Sequence, residues 1–319
     1  MRILITGMAG ELGTRVAQLL EADRRIHDLV GTDFDPPRRR LHRVDFHRID
    51  PRREERLAAL VRELDPTVVV HLGVYEPDAR CSPAAAAEMS GACTRAVMPT
   101  AAGSSSLERI VARSGIEVYG RRRGSPLRPD ESVAPDPTSP FGRLLLDAEG
   151  VAATAGRRAG VPVTLLRFAP IVGPHFPSPL GRYLRLPVVT VAALADLPFS
   201  LVQQEDAAAA IVAAVWRGLD GPVNVAGSGA VTPRQAARMG GRAIFPALGP
   251  AWVGARWLSD LVGAPVPGHV AELLLRGRTT DSTGAADALG VRPALATPEV
   301  VKDLYKWASV TALRGEEAA

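Results

Sequence analysis

The segment Thr6-Gly7-Met8-Ala9-Gly10-Glu11-Leu12-Gly13 has the residue types and spacing to cradle a phosphate chain. Its glycines permit a tight turn, let the backbone approach a pyrophosphate and allow a helix to pack on a strand. The helix that begins there offers N–H donors to anionic oxygens. Asp33 lies twenty residues beyond Gly13, with Phe34 beside it, where a carboxylate can take the ribose hydroxyls of a dinucleotide. A carboxylate there repels a 2′-phosphate, so the spacing implies NAD rather than NADP, and Arg38, Arg39 and Arg40 soften that preference. Glu117 is a carboxylate in an apolar run, able to act as a base in a desolvated cleft; the alternative is a structural carboxylate holding a turn. His175 follows Gly173-Pro174 and can move protons near neutral pH, or be an exposed loop residue. Arg121, Arg122 and Arg123 can clamp a diphosphate or carboxylate through forked donors, or be solvated charge. The histidines are scattered and Cys81 and Cys93 form no C-x-x-C pair, so the sequence implies no metal site.

These candidates need elements to hold them. Short apolar runs at 3–6, 29–33, 68–72, 110–112, 163–167 and 222–226 read as buried parallel strands. Between them 12–22, 53–64, 84–101, 144–159 and 206–217 carry helical spacing. Strand and helix in alternation argue an α/β fold, a Rossmann doubly wound parallel sheet. After Arg167 the chain loosens into Pro- and Gly-rich connections, where a small C-terminal substrate lobe is expected. Residues 1–168 then form the dinucleotide-binding domain with 202–228 returning to it, and 169–201 and 229–319 form the lobe.

Composition bounds the class. Hydrophobic residues make up 46% and charged residues 23% of the chain, which fits a globular protein rather than a disordered one. No apolar run is long enough to span a bilayer, and the start of the chain reads as a strand entering a glycine turn, not a signal peptide. Two cysteines without a framework fit a reduced cytoplasm. The charge of +4 rests almost wholly on arginine, lysine occurring only at 302 and 306. With 5% aromatic residues there are few surfaces on which bases could stack, so nucleic acid is not the expected partner.

The residues resemble an extended short-chain dehydrogenase/reductase of the NAD-dependent epimerase/dehydratase family over nearly the whole chain. The 6–13 segment is similar to T-G-x-x-G-x-x-G, and Asp50 falls where the family has an adenine-contacting aspartate. Val69-Val70-His71-Leu72-Gly73 resembles the V-V-H-L-A strand that flanks the cofactor, placing Leu72 and Gly73 beside it. Glu117-Val118-Tyr119-Gly120, Leu166-Arg167-Phe168 through Gly173-Pro174, and Leu289-Gly290-Val291-Arg292-Pro293 match later family segments. The resemblance implies a nucleotide-sugar substrate and chemistry by a Tyr-x-x-x-Lys pair, in which lysine helps tyrosine move a proton while NAD takes hydride. Here Phe141 stands for the tyrosine, Leu145 for the lysine, Gly115 for the active-site Ser/Thr and Ser90 for the helix asparagine, and no Tyr-x-x-x-Lys occurs anywhere in the chain. In dehydratases of the family the residue matching Glu117 is a base, and Pro170 stands where a substrate-contacting asparagine is found. Three readings follow: an epimerase/dehydratase relative with an altered mechanism, a non-catalytic NAD-binding sensor or scaffold, and a repurposed non-redox lyase or cyclase using Glu117 or His175. The resemblance also implies a homodimer through helices 84–101 and 144–159.

Overall fold

The computed structural model describes residues 1–306, so the part of the expected 229–319 lobe beyond residue 306 lies outside the described residues. The chain opens with β1 (Arg2–Thr6), α1 (Glu11–Glu21), β2 (Asp28–Asp33), β3 (Val44–Arg48), α2 (Glu54–Leu64), β4 (Val68–His71), α3 (Pro83–Ala101), β5 (Arg109–Gly115), α4 (Pro140–Ala159) and β6 (Val163–Phe168). Ile3, Leu4 and Ile5 are wholly buried, as are Val68, Val69 and Val70. Continuous apolar runs of this kind need cover on both faces, which a parallel sheet between helices provides. Leu12, Val16 and Leu20 of α1 pack on one face, while Leu57 and Val61 of α2 and Val97 of α3 pack on the other.

Beyond β6 come β7 (Ile171–Val172), α5 (Pro179–Leu184), β8 (Val188–Ala192), β9 (Val202–Gln203), α6 (Gln204–Arg217) and β10 (Gly221–Val225). The chain ends with α7 (Pro233–Met239), β11 (Ala243–Ala247), α8 (Pro250–Leu261), α9 (Gly268–Arg276), α10 (Thr283–Leu289) and α11 (Thr297–Tyr305). The main sheet has seven parallel strands in the order β10-β6-β5-β4-β1-β2-β3. Its order reverses between β1 and β4, where doubly wound sheets open a crevice at the carboxyl ends of their strands. Two short parallel pairs, β8 with β11 and β7 with β9, lie outside it. A separate apolar cluster of Leu180, Tyr183, Val189, Leu273, Val300 and Leu304 joins α5, β8, α9 and α11.

Two local features differ from the sequence reading. Strand β3 is not among the expected strands: Val-Asp-Phe-His-Arg has three half-buried and two exposed positions and none fully buried at the sheet edge, a weaker signal than a fully buried run. Helix α4 starts at Pro140, four positions before the expected 144, because Ser139 caps it by accepting from the Gly142 N–H at 3.1 Å with Pro140 at the first helical position. That extra turn is what places Phe141 on the helix.

Candidate functional site

At the crevice between β1 and β4, Gly7 has φ +67, and a Cβ there would come 2.5 Å from the Leu72 carbonyl oxygen. A Cβ on Gly13 would come 2.6 Å from the Gly7 oxygen. The fold itself therefore demands these two glycines. Gly10 is different, since its φ is −64 and a Cβ would meet nothing closer than Arg80 at 3.4 Å; its bareness leaves room above the loop. Helix α1 starts at Glu11 with no side-chain cap, so first-turn N–H groups are left for an anion. Glu11 itself faces Arg39 at 3.5 Å, and Leu12 and Leu72 help line a cleft of about 50 Å³ with Gly7, Gly10, Tyr75 and Arg80. Gly73 packs on α3, where a Cβ would come 2.6 Å from Cys93 Sγ.

Asp33 closes the far side of this cleft, and its side chain is fully buried. Its Oδ2 accepts from the Ala9 N–H at 2.9 Å and from Arg80 Nη1 at 2.8 Å, while Oδ1 accepts from the Phe34 N–H at 2.8 Å and the Tyr75 hydroxyl at 3.4 Å. Arg80 lies over the Phe34 ring at 4.4 Å. The glycine cradle thus fits a pyrophosphate, whereas a ribose hydroxyl at Asp33 competes with donors already in place, Arg80 among them. Asp50 is bound to its own neighbour Arg52 at 2.6 Å, whose hydrogen bonding holds the Asp50 carboxyl below the usual range.

Three of the four positions that the resemblance marks as catalytic, Gly115, Phe141 and Leu145, line a second, inner cavity of about 20 Å³ together with Glu117, Glu76, Arg113 and His269. Phe141 and Leu145 lie one turn apart on α4, both buried. Glu117 follows β5 in a 3-10 turn, Ile116–Tyr119, and its carboxylate occupies the space that a Cβ at Gly115 would need. It faces Arg278 at 3.5 Å, and Arg278 in turn holds Glu272 at 2.5 Å. Arg113 donates to the Val74 carbonyl at 3.2 Å, and burial pushes its guanidinium pKa down, with Glu76 and Glu117 opposing that. His269, near the start of α9, lies 3.1 Å from Glu76 Oε1 and 4.7 Å from the Phe141 ring centroid. Ser90 donates to the Ala86 carbonyl and accepts from the Tyr75 N–H at 2.8 Å, holding the loop after β4.

The structure separates the remaining candidates from this centre. His175 is exposed, and its neighbours Phe176 and Pro177 line the cleft at the glycine loop. Arg121 donates to the carbonyls of Arg276 and Pro126, Arg122 pairs with Asp136 at 2.8 Å, and Arg123 is exposed. Glu76, Arg80, Arg113, His269 and Arg278 escaped the sequence reading because they come from separate segments and share no motif. The one local sign was the position of Glu76 and Arg80, a few residues past the Leu72-Gly73 strand end. Among the described residues there is no cluster of His, Cys, Asp or Glu able to hold a metal and no helix long and apolar enough to cross a membrane.

Residues 3–217 match the model of the NAD dependent epimerase/dehydratase family. An uncharacterized protein of Mycobacterium tuberculosis, Rv0501, is 30% identical over 97% of this chain and 84% of its own length. The fold is similar to that of UDP-glucose 4-epimerase from Thermotoga maritima in complex with UDP-glucose, at a TM-score of 0.75 and 20% identity over 96% of this chain and 98% of that one. It is also similar to the UDP-glucose 4-epimerase of Thermus thermophilus in complex with NAD, at a TM-score of 0.74 and 23% identity with the same coverage.

Proposed function

Since this chain belongs to the NAD dependent epimerase/dehydratase family, we propose that it binds NAD at the 6–13 loop and handles a small-molecule substrate of the nucleotide-sugar type without the family's tyrosine–lysine chemistry. What supports this reading is the inner cavity lined by Gly115, Phe141 and Leu145, the positions at which the resemblance leads one to expect a hydroxyl, a phenol and an ammonium. Phe141 and Leu145 have no proton to give and no charge to place beside one. When bound, NAD would supply hydride acceptance. The N–H groups of Glu11 and Leu12 would hold its pyrophosphate, Asp33 a ribose and Leu72 one apolar wall.

The carboxylate of Glu117, standing in the space left by Gly115, supports acid–base chemistry in place of redox turnover. The two free cysteines, Cys93 buried, accord with a reducing cytoplasm. The reading also includes a homodimer through α3 and α4.

Calorimetric titration tests the cofactor half. NAD is expected to bind more tightly than NADP, and Gly10→Ala to weaken NAD at least about tenfold, ~1.4 kcal/mol, with an unchanged thermal midpoint, because the added methyl enters the cleft and not the core. Absence of any dinucleotide binding would overturn the reading. Incubation with NAD and UDP-glucose is expected to give no UDP-galactose, and its appearance would return the protein to the family reaction.

A further inference from the structure

Outside the inner cavity lies a larger pocket of about 540 Å³, walled by Phe141, Val253, Trp257 and five prolines, with Arg256, Asp78 and Asp260 as its charged members. His269 lines both this pocket and the inner cavity. Glu117 and Arg113 line the inner cavity and not the outer pocket. The His269 side chain is 5% exposed, and Nε2 is committed to Glu76, leaving Nδ1 without a hydrogen-bond partner among the described residues. A carboxylate behind an imidazole fixes the ring and balances the charge that forms when the other nitrogen takes a proton. The Phe141 ring packs beside the imidazole at an interplanar angle of 44°.

We propose that His269, oriented by Glu76, is a general base opening on the outer pocket, and that its substrate is a carbonyl compound with a flat or ring-shaped body and a C–H bond next to the carbonyl. The proposal rests on the reading that tyrosine–lysine chemistry is absent from this site. His269 takes the proton from carbon, the C–H electron pair moves into the carbon–carbon bond, and the carbonyl pair moves onto oxygen as an enolate. Arg256, on the wall of the outer pocket with His269, is the cation available to face that oxygen. Return of the proton from His269 to carbon restores the carbonyl, so the step consumes no oxidant and releases no group. The pocket wall suits the ring of such a compound: Trp257 and the prolines offer flat, rigid apolar faces.

The test needs no knowledge of the natural substrate. 5-Nitrobenzisoxazole is a flat aromatic carbon acid. A base removes its ring C–H proton, the electron pair closes the nitrile, the N–O bond breaks and a coloured phenolate forms. The full-length protein is expected to open it at least about a hundredfold faster than free imidazole at equal concentration. His269→Gln is expected to lose that acceleration, and Glu76→Gln to lower kcat about tenfold with KM little changed. Val253→Trp, at an exposed position of α8 on the pocket wall, is expected to raise KM without disturbing the fold, which keeps the test sound if a substitution at His269 misfolds. A rate no greater than that of imidazole, or parent-like rates in folded His269→Gln or Glu76→Gln, would show the pair to be only a latch between α9 and the loop after β4. NAD titration of the parent chain reports separately on the function proposed above.

Discussion

Asp33 shows how one side chain can be legible in sequence and still be engaged otherwise than its spacing implies. Its position past the glycine loop marks it as a ribose ligand, yet both oxygens already carry two donors each, and one of these is the Arg80 guanidinium. Nothing near Arg80 in the sequence announces this, because the contact spans forty-seven positions. A charge-assisted bond of this kind contributes about 1.5–3 kcal/mol, and a ribose hydroxyl competes with it for the same carboxylate. Arg80→Gln is therefore expected to tighten NAD about tenfold in calorimetry. Weaker binding by that variant would make Arg80 a cofactor contact instead. The exchange at Gly115 and Glu117 has the same character: the small residue at 115 is visible in sequence, but only the fold shows the Glu117 carboxylate filling its space.

The strands and helices were more legible than the side chains they carry, because burial on both faces and periodic packing write themselves along consecutive residues. β1, β4 and β6 are runs of apolar residues in the sequence for the same reason that they are buried. The edge strand β3 exposes Asp45 and Arg48, buries none of its residues fully and leaves no such trace. His71 belongs to this scale, for it ties β4 to β1 through Thr6 at 2.8 Å and to α3 through Thr94 at 3.0 Å. Burial lowers its pKa from 6.5 to about 4, so the folded chain keeps it neutral while the unfolded chain protonates it below pH 6.5. Its contribution to stability is complete above pH 6.5 and is lost as the pH falls toward 4, a change of about 3 kcal/mol. Urea unfolding at pH 7 and pH 4.5 is expected to show a smaller loss for His71→Gln than for the parent chain, and equal losses would remove His71 as the cause.

At the scale of the molecule, α5 is a junction: Arg185, at its C-terminal end and 5% exposed, donates to the carbonyls of Leu304 at 3.1 Å and Pro174 at 3.0 Å. Arg182 of the same helix donates to the carbonyls of Asp78 and Ala79 in the loop that carries Arg80. Arg185→Ala removes two hydrogen bonds to backbone carbonyls and is expected to cost about 2 kcal/mol in urea unfolding; a loss near zero would mean that α11 docks through its apolar face alone. Strand order carries a further consequence, for the life of the chain before it is complete. β6 is buried along its whole length, and its outer neighbour β10 begins only at Gly221, after β7, α5, β8, β9 and α6. On the ribosome, a nascent chain that has already assembled six strands must wait for that whole excursion to emerge with the β6 edge still open to other chains. Slowed synthesis between residues 169 and 220 would lengthen that exposure, and truncation before Gly221 would make it permanent.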